Sequence, residues 1–141
     1  RSWGVVAAII RPNYDGVPSS SKSEAGGGIS EDGWWGQATT AALQRALGAV
    51  VDGEIWHQWP DNRSLLRGCT SGWSYDYTGE GSPTIKALQR NYLGTKADGL
   101  VGVNTINAMI RRYGNGYCDG VLDGPSTAIR GLQHAINAGQ L

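Results

Sequence analysis

The chain has 141 residues and a formal net charge of zero, room for one or two small domains but no long-range field to draw it to nucleic acid or an anionic membrane. Its 40% hydrophobic content lies in short runs, none near the roughly 18 apolar residues a membrane span needs, and nothing at the start resembles a cleavable signal. A neutral carbohydrate or mixed polymer suits this balance better than nucleic acid or membrane as a partner. The set of 22 Gly, 6 Trp and 6 Tyr with no Phe points to many turns and to aromatics with a polar handle, which serve wet interfaces.

Residues 1–14 read as the tail of a preceding domain: Trp3 to Ile10 is an apolar β-type run stopped by Pro12, with no partner strand in sight. Residues 15–28, with Ser19-Ser20-Ser21 and Gly26-Gly27-Gly28, have linker composition. The folded unit is expected over 29–141. It is built on a repeating pattern that begins with Asp32-Gly33-Trp34-Trp35-Gly36 and runs into Thr39 and Leu43-Gln44. A second copy opens at Asp52-Gly53 and, after a long interruption, resumes at Gly81-Ser82-Pro83-Thr84 and Leu88-Gln89. A third runs from Asp98-Gly99 through Thr105 to Ile110, and a fourth from Asp119-Gly120 through Pro125 and Thr127 to Gln133. Repetition at this scale implies small units that bury their apolar faces only against one another.

Each Asp-Gly pair supplies a turn, Asp bonding the amides ahead of it and Gly accepting positive φ. Helix starts follow: Ser82 as N-cap before an N1 proline, the same arrangement expected at Gly124-Pro125, and Thr39, Thr84, Thr105 and Thr127 in equivalent first-turn positions. Beyond them the apolar spacing is helical, as in Ile85, Leu88 and Tyr92 or Ile106, Met109, Ile110 and Tyr113. Helices of about ten residues are unstable alone, so packing between units holds them. Of the two residues after each Asp-Gly, the second (Trp35, Ile55, Val101, Leu122) is always apolar and is expected in the core. The first (Trp34, Glu54, Leu100, Val121) tolerates a charge and is expected outside. The fold class predicted is all-α, tandem short-helix repeats in two paired halves on a shared core.

The interruption from Ile55 to Gly81 is rich in aromatics: Trp56-His57-Gln58-Trp59-Pro60, then Leu65-Leu66, then Trp73-Ser74-Tyr75-Asp76-Tyr77. A long ordered insertion is usually a functional surface excursion or covers an exposed edge. Cys69 and Cys118 lack metal-ligand spacing and have only His57 and His134 for company, so no metal or cofactor is expected. Free thiols and a disulfide both remain open.

The pattern Asp-Gly, two residues, Gly, then Thr and Ala-Leu-Gln resembles the small helical peptidoglycan-binding domains of bacterial and phage cell-wall hydrolases. Within that group it is similar to the C-terminal wall-binding region of a phage endolysin, and the likeness covers most of 30–141. The first residues resemble the closing strand of an endolysin catalytic domain of the NlpC peptidase type. The resemblance implies a non-catalytic targeting domain that binds peptidoglycan or an attached wall polysaccharide. Its partner in the parent chain would be an N-terminal hydrolase, acting at the bacterial wall and made in the host cytoplasm without its own signal peptide, or secreted. The third copy departs from the pattern in lacking the Gln, and the fourth in an extra residue near Asp123-Gly124.

Residue types for chemistry are present without their usual surroundings. Glu31, Glu54, Asp76 and Glu80 could supply a glycosidase pair, and Cys69 or Cys118 with a histidine could supply a thiol nucleophile, but all lie in turn-like or unrelated contexts and no catalytic residue is expected. The other readings are a helical oligomerisation or scaffold module and a small wall hydrolase. For wall binding, the residues singled out are Trp34, Trp56, Trp59, Trp73, Tyr75 and Tyr77 as rings to stack on sugar faces, with His57, Gln58 and Asp76 as hydrogen-bonding neighbours. The competing explanation for each ring is structural, since an insertion poor in aliphatics needs a core of its own.

Overall fold

The structure, a computed structural model, describes residues 28–141. The strand-like tail 1–14 and all but the last residue of the linker 15–28 lie outside them. A compact unit runs from Glu31 to Leu141. Its elements are α1 (Gln37–Leu47), β1 (Ile55–Gln58), a 3-10 helix (Pro60–Leu65), β2 (Trp73–Tyr75), α2 (Pro83–Leu88) continuing as a π-helical turn (Gln89–Leu93), α3 (Val103–Tyr113) and α4 (Thr127–Ala138). The unit is therefore largely helical, as expected, with one addition: β1 and β2 pair in parallel, Ile55 opposite Trp73 and Gln58 opposite Tyr75, with an irregularity between.

Helix contacts close on themselves. α1 touches α2, the π turn after α2 touches α3, α3 packs on α4, and α4 returns to α1. The closest approach is between α3 and α4, where a Cβ on Gly131 would meet the backbone of Tyr113 and one on Gly114 would lie 3.3 Å from the Ala128 side chain. Leu43, Ile85, Leu88, Ile106, Met109, Ile129 and Leu132 form one buried cluster together with Trp35, Ile55, Val101 and Leu122. Each buried side chain of this size contributes about 1.5–3 kcal/mol, which holds helices too short to persist alone.

The Asp-Gly segments are fastened in one recurring way. In all four, the Asp carboxylate accepts from the amide two residues on, at Trp34, Glu54, Leu100 and Val121, and the Gly has positive φ. A buried glutamine from the preceding helix then grips the segment. Gln44 Oε1 accepts from the amides of Asp52 and Gly53 while its Nε2 donates to Asp52 Oδ1 and to Thr84 Oγ1. Gln89 does the same for Asp98-Gly99 and Thr105. Gln133, at the end of the order, reaches back to Asp32-Gly33 and Thr39. Asp119-Gly120 is served by Asn107, whose Oδ1 accepts from Gly120 N at 2.9 Å.

Helix starts follow this frame with one correction. Ser82 and Ser126 cap α2 and α4, each hydroxyl accepting from the amide three residues on. Pro83 is at N1 of α2, but Pro125 precedes its cap, because the extra residue near Asp123 shifts the register by one. For the same reason Thr127 is exposed, and the buried counterpart of Thr39, Thr84 and Thr105 is Ala128. Gly36 offers α1 no side-chain cap; Ser71 Oγ, from the long insertion, accepts from Gln37 N instead.

The insertion lies largely at the surface, but its backbone is tied into the core at intervals. Its backbone pairs in turn with the buried residue that follows three of the Asp-Gly segments. Leu122 N donates to Leu65 O, Trp35 N to Gly68 O, and Ile55 N to Gly72 O. The fourth such residue, Val101, is met by a side chain: Gln58 Oε1 accepts from Val101 N and Gln58 Nε2 donates to Gly99 O, at 2.9 and 2.8 Å. Gly68 sits where the insertion passes under α4, and a Cβ there would be 2.8 Å from Ile129 Cδ1.

Candidate functional site

The aromatic residues of the insertion divide between core and surface. Trp73 stacks edge-on against Trp35, centroids 5.1 Å apart, and its indole N–H donates to Trp35 O. Trp35 is fully buried, donating through Nε1 to Thr40 Oγ1, whereas its neighbour Trp34 is 40% exposed. Tyr75 is half-buried under the Arg63 guanidinium, 5.0 Å from its ring centroid; burial pushes its hydroxyl up from the ordinary tyrosine value. Gln58 is buried with both ends of its amide engaged, so it ties backbone together and offers a ligand no surface.

Trp56, Trp59 and Tyr77 face outward. Trp56 is 47% and Tyr77 64% exposed. Trp59 meets Tyr77 edge-on at 4.8 Å and 88°, and the Tyr77 hydroxyl donates to Asp61 Oδ1 at 3.0 Å, a bond that holds the phenol proton on. Trp59 starts the 3-10 helix as its N-terminal flank. From there it forms one wall of a cleft of about 450 Å³, with Asn62 beside it and Asp98, Leu100, Val103 and Asn104 opposite. Gly79 completes the rim.

His57 organises that rim. It lies in the left-handed region, φ 59°, at the point where β1–β2 pairing is irregular. Its Nδ1 is 2.7 Å from Asp76 Oδ2 and its Nε2 3.4 Å from Glu80 Oε1. Asp76 in turn accepts from the Thr78 hydroxyl and amide, and the Thr78 hydroxyl bond, then the His57 bond, hold its carboxyl below the ordinary range. The loop 76–80 is thus pinned at both ends, with Gly79 toward the cleft.

Trp59, Tyr77, Asp76 and His57 are therefore brought together; Trp56 is on the same strand as His57. Trp34 stands apart, its ring over Gly124, where an added Cβ would be 2.6 Å from Trp34 Cη2. Sequence reasoning missed Asn62, Asp98, Val103 and Asn104. Leu100 had been placed outside the core by its position after Asp-Gly, and that position is the only signal any of them carried.

The carboxyls of Asp76 and Glu31 are held low, the latter first by its Asn137 hydrogen bond, where a general acid needs a raised value. Burial pushes the Cys69 thiol far up, the opposite of an activated nucleophile. Cys118 is an exposed free thiol, accepting from Arg111 at 3.7 Å. Among the described residues no three His, Cys, Asp or Glu side chains converge on a metal position, and no helix is long and apolar enough to cross a membrane. No protein family, curated protein or solved structure matches the chain.

Proposed function

We propose that this chain is the non-catalytic targeting domain of a cell-wall hydrolase, of phage endolysin or bacterial origin, and that it binds peptidoglycan or an attached wall polysaccharide in the Trp59 cleft. The observation that carries the reading is the cleft itself. Trp59, braced edge-on by Tyr77, lines it together with the apolar Leu100 and Val103 and the polar Asn62, Asn104 and Asp98. Sugar rings present flat C–H faces that stack on such a wall, and their hydroxyls need amide and carboxylate partners spaced around it. In this reading the four Asp-Gly units are tandem repeats of a peptidoglycan-binding kind, the insertion both joins them and supplies the aromatic wall, and the hydrolytic step belongs to a catalytic domain that the module holds at its substrate. Tethering of this kind raises the local concentration of the enzyme without altering its chemistry.

Sedimentation with purified walls from a panel of Gram-positive sources tests it, repeated after acid extraction of secondary polymers to separate peptidoglycan from attached polysaccharide. Replacing an aromatic anchor costs about 2 kcal/mol of binding, roughly 30-fold in Kd. Trp59→Ala should therefore release the protein from walls at an unchanged melting temperature. Failure to sediment with any wall, or hydrolysis of walls by the isolated chain, would sink the proposal.

A further inference from the structure

A second cleft, of about 170 Å³, lies one unit further along the chain. Its position repeats that of the first. The Trp59 cleft is walled by Asp98 and Leu100 and by the start of α3 at 102–105; the second is walled by Asp119 and Val121 and by the start of α4 at 126–128. The chemistry repeats as well. Asp98 and Asp119 each use Oδ1 on the amide two residues ahead, which leaves the other carboxylate oxygen to accept from a ligand. Asn115 accepts from Tyr117 N through Oδ1, which leaves its NH2 group to donate.

One ring lines this second cleft without serving the core. Tyr117 lines it and is 75% exposed. Trp34 lies over Gly124, the neighbour in sequence of the lining residue Asp123, with two-fifths of its surface in solvent. An exposed aromatic ring at a polar cleft, next to amide and carboxylate groups, is the combination that Trp59 provides in the first.

We infer that this is a second saccharide-binding site, taking an uncharged pyranose of the same wall polymer, so that the module grips its substrate at two points. The inference rests on the Trp59 cleft being a saccharide site. The charge pattern narrows the ligand for both: neither lining contains Lys or Arg, and each contains a carboxylate. Of the cations near the second cleft, Arg67 is 3.7 Å from Asp123 and Arg111 donates to the thiol of Cys118. A phosphate-bearing wall polymer would meet Asp98, Asp119 and Asp123 with like charge, whereas sugar hydroxyls donate to them. Two linked sites raise avidity by about 10²–10⁴ over either alone.

Calorimetric titration of the intact chain with oligosaccharides released by a muramidase from phosphate-stripped walls tests this. The expected stoichiometry is two saccharides per chain. Tyr117→Ala, checked for an unchanged melting temperature, should leave one site and lower affinity for whole walls by about 10² or more; Trp59→Ala should leave the other. Saturation at one saccharide per chain, lost with Trp59→Ala and untouched by Tyr117→Ala, overturns the second site alone. No heat with any oligosaccharide, or indifference to both substitutions, overturns the Trp59 site as well.

Discussion

Gln133 joins the last helix to the first Asp-Gly segment, and replacing it by leucine isolates the strength of that junction. The side chain is almost wholly buried and makes four hydrogen bonds: from Gly33 N, and to Asp32 Oδ1, Trp34 O and Thr39 Oγ1. Asp32 and Trp34 are exposed residues whose oxygens water can serve. Gly33 and Thr39 are buried, so their N–H and hydroxyl groups would be stranded, at about 1–3 kcal/mol each. Gln133→Leu should therefore cost about 2–6 kcal/mol, a large share of the 5–15 kcal/mol typical of a domain. Adding Thr39→Ala removes one stranded group and should recover about 1–3 kcal/mol. The chain already contains such an apolar pair: Ile110 stands five residues after Thr105, as Gln44 does after Thr39, and Ala128 stands five before Gln133; both are buried. Urea unfolding followed by Trp fluorescence reads the change as a shift in midpoint at constant slope. A loss under about 1 kcal/mol for Gln133→Leu, or strict additivity with Thr39→Ala, would refute the reasoning.

Gly68→Ala should destabilise by about 1–3 kcal/mol or prevent folding, since the new methyl meets Ile129 Cδ1 at 2.8 Å with backbone of Asp123 also in its way; thermal melts compare it with Gly48→Ala, where the space is open but φ is positive. A thiol reagent should modify the exposed Cys118 fast and the partly buried Cys69, whose thiol is pushed up, much more slowly, as peptide mapping after timed labelling will show; two equally fast equivalents would contradict this. Asp76 is depressed in the folded state, so its contribution to the 76–80 loop is present above the unfolded aspartate value of about 3.9 and is lost as pH falls through the lower folded value. Asp76→Asn should accordingly weaken wall binding at neutral pH and flatten its decline in acid, measured by sedimentation between pH 7 and pH 3.

What could be seen in the sequence was what local spacing dictates. The sorting of Trp34 from Trp35 followed from the residue types at four aligned positions, and Trp35, Ile55, Val101 and Leu122 are all fully buried. The helices came from their apolar period, and only the start of α4 was misplaced by one, because an extra residue before it looks like a longer turn. The insertion was harder to read. Its Gln58 and Trp73 have the composition of a wet surface, yet they serve backbone groups more than 35 residues away in the chain, and no periodicity announces a bond of that span. The second wall of the Trp59 cleft, Asp98 to Asn104, was invisible for the same reason: nothing local links it to the 3-10 helix it faces.

The bond from Gln133 to Gly33 spans 100 residues, and it changes what kind of folding the unit can undergo. An open stack of helical units can nucleate anywhere, gain or lose a unit at either end, and fray from its ends. Here neither end is an end, since α4 completes the contacts of the first Asp-Gly segment and α1 completes those of α4. Loop closure over most of the chain must come before that contact gives anything back, so folding should be slow for a helical protein of this size and governed by long-range contacts. Unfolding should be all-or-none, with hydrogen-exchange protection in α1 and α4 lost together.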